Sequence, residues 1–107
     1  MANYHTPLLP ENTYHLFSRA NGNELLFLND NNYQFFLDRF QKHTVPVANT
    51  LAFCLLPNHF HILVQIKTVK EIKDYYEEIK AGESYNEEIQ AAFIMKKFSN
   101  CLNSYTK

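Results

Sequence analysis

His59 and His61 flank a single aromatic residue in the segment Pro57-Asn58-His59-Phe60-His61-Ile62. That segment sits in an apolar run from Leu51 to Ile66. Side chains of a β-strand alternate between its two faces, so residues two apart point the same way. The two imidazoles are therefore expected side by side on one face, with Phe60, Ile62, Val64 and Ile66 on the other. A lone strand histidine is usually structural. A pair at this spacing, backed by an apolar face, is half of a metal site. Imidazole suits Zn, Fe, Ni and Cu better than Mg, so the spacing alone does not name the metal.

Other reactive side chains carry less signal. Tyr105 shares a helical face with Phe98, Cys101 and Leu102, and periodicity alone makes it a core or interface aromatic. Tyr75 and Tyr76 fit a packing face, and Tyr85 stands at a helix start. Arg19, Lys67, Lys96 and Lys97 are cations available to phosphates, although most surface lysines are simply solvated. His15 lies on the first strand and can face the histidine pair, where a structural role is the more ordinary one. Asn58 reads first as a turn residue. Helix-surface asparagines such as Asn100 and Asn103 usually neither orient DNA nor complete a metal shell. His5 and His43 carry no signal. The chain has no Gly-rich phosphate loop, no serine-histidine-acid arrangement and no CxxC zinc pattern.

The elements that must position these residues follow from local patterning. Residues 1–11 form an irregular lead-in broken by Pro7 and Pro10. Thr13 to Arg19 alternates as a strand, and Asn21-Gly22-Asn23 is a turn. Asn29 or Asp30 caps a helix whose buried face is Tyr33, Phe36, Leu37 and Phe40; Pro46 ends it. Leu51–Leu56 is a continuous apolar strand with Cys54 as a small core residue. Pro57-Asn58 is turn chemistry, and His59–Ile66 completes an antiparallel hairpin. Ile72, Tyr75, Tyr76 and Ile79 mark a helix from about Val69 to Ala81, stopped by Gly82. Ser84 with Glu87 is a capping-box signature opening a long last helix. A further strand is a candidate at Glu24–Leu28. The order β-α-β-β-α-α predicts an α+β fold with helices packed on an antiparallel sheet.

The 107 residues suit one domain, 1–107, able to bury a modest core. Hydrophobic residues make up 46%, with two glycines and four prolines, which argues against disorder. No stretch approaches a membrane span and the N-terminus has no signal-peptide pattern. Two widely spaced cysteines point to a reducing, cytoplasmic compartment. The net charge of −1 argues against a protein that simply coats DNA. Seven of the eleven acids fall between Glu71 and Glu88, so the rest of the chain is net basic.

The segment Phe53-Cys54-Leu55-Leu56-Pro57-Asn58-His59-Phe60-His61-Ile62-Leu63-Val64 resembles the signature of the single-tyrosine HUH transposases, which include the insertion-sequence and REP-associated tyrosine transposases. Tyr14-His15-Leu16-Phe17-Ser18-Arg19 is similar to that family's first strand. The helix through Phe98-Ser99-Asn100-Cys101-Leu102-Asn103-Ser104-Tyr105-Thr106-Lys107 resembles the one bearing its nucleophile. The resemblance implies a ferredoxin-like, HUH endonuclease-like domain, with the hairpin at 51–66 and the tyrosine helix at about 85–107. It implies a transposase that cleaves and rejoins single-stranded DNA at a hairpin through a 5′-phosphotyrosine intermediate. His59 and His61 would bind Mg²⁺ or Mn²⁺, Tyr105 would be the nucleophile, and the protein would be a homodimer associated with the bacterial nucleoid. The family's third metal ligand lies about one turn beyond the tyrosine, so the resemblance implies a C-terminally shortened catalytic domain. No separate organic cofactor is expected.

Two other classes fit the same residues. A non-catalytic module that holds a nucleic-acid hairpin would bind without metal and survive loss of both histidines. A metal-dependent hydrolase or small metal-binding protein would take metal but form no covalent DNA adduct.

Overall fold

The computed structural model describes residues 8–105 except 21 and 23, with the side chains of 103–105 also outside the description. Its elements are β1 (Thr13–Arg19), α1 (Asp30–Thr44), β2 (Ala48–Leu56), β3 (His59–Ile66), α2 (Val69–Ile79) and α3 (Glu87–Tyr105). The strands form one antiparallel sheet in the order β1-β3-β2. The histidine strand is thus central, and the architecture is the expected α+β one, compatible with a ferredoxin-like arrangement.

All three helices cover one side of this sheet. Phe60, Ile62, Val64 and Ile66 of β3 are buried and belong to a single core with Phe36 and Phe40 of α1, Ile72 and Tyr76 of α2, and Ile94, Phe98 and Leu102 of α3. Aromatic contacts tie the layers together. Phe36 meets Phe60 at 5.0 Å between ring centroids, Phe40 meets Phe98 at 5.9 Å, and Tyr76 meets Phe93 edge-on at 5.2 Å. Burying each large apolar side chain contributes about 1.5–3 kcal/mol, so this side of β3 is the fold's main stabilising surface.

The helices begin where polar side chains satisfy their first N–H groups. Asn29 caps α1 by accepting from the Asn32 amide. Thr68 caps α2, and Glu71 returns the bond in a full capping box. For α3 the cap is Asn86, whose Oδ1 accepts from the Ile89 amide at 2.9 Å. The expectation of a Ser84–Glu87 box is thereby corrected: two residues of non-helical chain separate Ser84 from the helix, and Glu87 is its first residue. Gly82 falls after α2 with φ +89, a left-handed turn that glycine adopts freely.

Two further expectations are corrected. Glu24–Leu28 forms no strand. It is an irregular segment whose Leu26 and Phe27 amides donate to the Pro57 carbonyl at 2.8 and 3.2 Å. Cys54 is exposed. A bulge between Thr50 and Ala52 shifts the register of β2 by one residue. Before it, Ala48 and Thr50 pair with the inward Ile66 and Val64; after it, Phe53 and Leu55 pair with the inward Ile62 and Phe60. Because side-chain direction has a period of two, the extra residue moves Cys54 to the outer face.

Candidate functional site

β3 separates two environments at every step. His59 and His61 are half-buried and Leu63 and Gln65 exposed, while the intervening residues are buried. Residues directly opposite one another in antiparallel strands share a face. His61 is flanked by Phe17 of β1 and Cys54 of β2; His59 is flanked by Arg19 and Leu56. His15 pairs with Leu63, one step further along. The uncovered face therefore gathers three imidazoles, a guanidinium, a thiol and an aromatic ring near the hairpin turn.

The turn itself is held firmly. The Pro57 carbonyl accepts the two amides from the 24–28 segment, and the Asn58 carbonyl accepts from the Ala20 amide at 2.8 Å. The irregular connection after β1 thus fixes the end of the hairpin from which the histidines project.

Each histidine of the pair has one ring nitrogen engaged. Nδ1 of His59 lies 2.7 Å from Asn58 Oδ1. Nδ1 of His61 lies 2.9 Å from Nε2 of His15. The His59 and His61 rings are nearly perpendicular, 86°, with centroids 5.1 Å apart. Loss of surrounding water holds His59 below the ordinary imidazole value, helped by the positive charge of Arg19 and by His61. Burial and a neighbouring cation both disfavour imidazolium, so His59 is biased toward the neutral form that ligates metals.

Phe17 presents an aromatic surface to this cluster. It is 57% exposed, and its ring centroid lies 5.3 Å from that of His15 and 6.4 Å from that of His61. Neither Phe17 nor the His15–His61 bond is visible in local spacing, because both arise from the pairing of strands far apart in the chain. Asn58 is more than a turn residue, since its side chain engages His59.

The remaining candidates lie elsewhere. Lys67 follows the end of β3 opposite the turn, and its amide bonds to the Val47 carbonyl. Lys96 and Lys97 belong to α3, behind the sheet; the Lys97 ammonium sits over the Phe93 and Tyr75 rings at 5.1 and 5.8 Å. Of the four cations, only Arg19 joins the histidines. Tyr76 donates to Glu83 and Tyr85 to Gln90 on the helical side. Tyr105 ends α3, and its side chain lies outside the described residues, as do those of Asn103 and His5. A groove of about 640 Å³ between residues 8–11 and the starts of α2 and α3 includes Glu11, Lys73 and Glu87 but no histidine.

Comparison with protein-family models, curated proteins and solved structures finds no match. Among the described residues, no group of three or more His, Cys, Asp or Glu side chains is arranged to hold a metal ion. What the open face offers is the imidazole pair of His59 and His61, with His15 bonded to His61. Among the described residues, no helix is long and apolar enough to cross a membrane.

Proposed function

We propose that this chain is the catalytic domain of a single-tyrosine HUH-type transposase, acting on single-stranded DNA at the nucleoid. The observation that carries the reading is the placement of His59 and His61 on the uncovered face of a central strand. Each has Nδ1 within hydrogen-bond distance of a neighbour, Asn58 for His59 and His15 for His61. His59 and His61 would hold a divalent ion through two imidazoles, with water and phosphate oxygens needed to complete its shell. When bound, Mg²⁺ or Mn²⁺ supplies Lewis-acid polarisation of the scissile phosphate.

The chain's own residues account for substrate binding. Arg19, next to His59, offers a planar donor fork suited to a phosphate. Phe17 offers a flat apolar surface on which an unpaired base stacks. A duplex hides its base faces, so this pairing of cation and exposed ring favours single strands. Tyr105 is the proposed nucleophile. Its phenol, with an ordinary pKa of ~10, gives up its proton as Oη bonds to phosphorus. The P–O3′ bond breaks, the 3′ oxygen takes a proton, and the 5′ phosphate remains on the tyrosine. The phosphodiester energy is conserved in that link, so rejoining needs no ATP. The protein acts as a homodimer, in which the tyrosine helix of one copy can complete the site of the other.

The test is incubation with Mn²⁺ and a labelled library of single-stranded DNA hairpins, followed by a denaturing gel. The expected result is label at protein mass, abolished by Tyr105→Phe and by His59→Ala. Label that persists in Tyr105→Phe, or its absence from the wild-type chain, would overturn the assignment.

A further inference from the structure

The contact between His15 and His61 joins residues 46 positions apart in sequence. Their rings are tilted by only 17° with centroids 5.0 Å apart. Together with the 2.9 Å separation of Nε2 and Nδ1, this describes an edge-to-edge hydrogen bond. One ring must donate and the other accept, because a neutral imidazole has one N–H and one lone pair.

The polarity of this bond decides what His61 can do. If His15 Nε2 donates, His61 carries its hydrogen on Nε2, and neither of its nitrogens is free for a ligand. If His15 Nε2 accepts, His61 carries the hydrogen on Nδ1, and Nε2 keeps its lone pair. For His59 the same question is settled by Asn58, whose Oδ1 only accepts. His59 therefore carries its hydrogen on Nδ1 and keeps the Nε2 lone pair.

We infer that His15 is a positioning residue: its Nε2 accepts the Nδ1 hydrogen of His61 and so leaves the His61 Nε2 lone pair available beside that of His59. His15 and Asn58 then play matching parts, each fixing the tautomer of one member of the pair. Partners of this kind orient metal-binding imidazoles and raise their basicity. His15 is exposed on an uncovered face and belongs to no core, so its value lies in this bond rather than in packing. The inference rests on the proposal that the histidine pair holds a divalent ion, but its first consequence is measurable without metal.

The experiment uses uniformly ¹⁵N-labelled, metal-free protein at about pH 8, above the ordinary imidazole pKa of ~6.5. Long-range ¹H–¹⁵N correlation spectra report the tautomer of each ring. His61 is expected with its hydrogen on Nδ1. In His15→Phe that preference should be lost, and in His15→Gln, whose Oε1 can accept the same bond, it should be retained at least in part. Mn²⁺ titration of the same proteins should show binding weakened about 10–100-fold in His15→Phe, with recovery in His15→Gln and unchanged thermal unfolding. A wild-type His61 bearing hydrogen on Nε2 would overturn the inference, as would equal Mn²⁺ affinity in wild type and His15→Phe. Nδ1 protonation in a wild-type chain that takes no Mn²⁺ would instead overturn the metal reading while supporting the bond polarity.

Discussion

The two faces of β3 share one backbone and alternate residue by residue, yet they do opposite work. Phe60, Ile62, Val64 and Ile66 are almost fully withdrawn from solvent and share one core with residues from all three helices. His59, His61, Leu63 and Gln65 are half-buried or exposed, and their cross-strand neighbours lie on β1 and β2. The inner face supplies stability and rigidity. The outer face can then carry groups whose lone pairs and charges would be costly inside. A strand clamped by a packed face and by neighbours on both edges is a stiff mount for two imidazoles.

The largest contrast is expected between the two cysteines. Cys54 is on the open face, whereas Cys101 is buried and its thiol is pushed up to about 11 by burial. A thiol reagent at neutral pH should modify Cys54 at once. Cys101 should react only through unfolding, at least ~10³-fold more slowly. Because the folded value exceeds the ordinary 9.0, the folded state holds this proton more tightly. Stability should therefore fall as pH rises from 9 toward 11. Rapid labelling of both cysteines in folded protein would contradict the division of faces.

Substitution along β3 gives the next effect. Ile62→Ala should cost about 2–5 kcal/mol in denaturant unfolding. His61→Ala, its immediate neighbour, should change metal-free stability by no more than about 0.5 kcal/mol. Similar losses at both positions would mean that the open face is covered in solution. Phe17→Ala sharpens the contrast from the functional side. It should leave unfolding nearly unchanged while weakening single-stranded DNA binding by about 1–3 kcal/mol for a lost base stack, measured by fluorescence anisotropy.

The smallest effect concerns His59. Its value in the folded chain lies below 6.5, so the unfolded chain binds the proton more readily. Stability should accordingly decline as pH falls below about 6.5. His59→Gln should remove that part of the acid dependence, read as a smaller shift in the unfolding midpoint between neutral and mildly acidic buffer.

The inner face was legible from the residues alone, because alternation over His59–Ile66 and helical spacing at Phe36 and Phe40 are local signals. The facing of His59 and His61 followed from the same alternation. Cys54 reads as a core residue because a bulge between Thr50 and Ala52 is invisible inside an uninterrupted apolar run, and one extra residue reverses every later side chain. Ser84 reads as the cap of α3 because its spacing to Glu87 mimics a capping box, while Asn86 is closer to the helix that forms. Thr68 with Glu71 carries the same spacing and does form the box. The companionship of His15, Phe17 and Arg19 with the histidine pair depends on the register between β1 and β3. No local pattern encodes that register, although the inward alternation of Leu16 and Ser18 places His15, Phe17 and Arg19 on the outer face.

The most direct test of the open face as a metal-assisted site is titration of the metal-free protein with Mn²⁺, followed by electron paramagnetic resonance. Wild type would be compared with His59→Ala, His61→Ala and the double variant. The account predicts bound Mn²⁺ in wild type, its loss in each variant, and unfolding curves that superimpose to within about 0.5 kcal/mol. Equal Mn²⁺ binding by wild type and the folded double variant, or no binding by wild type, would contradict it.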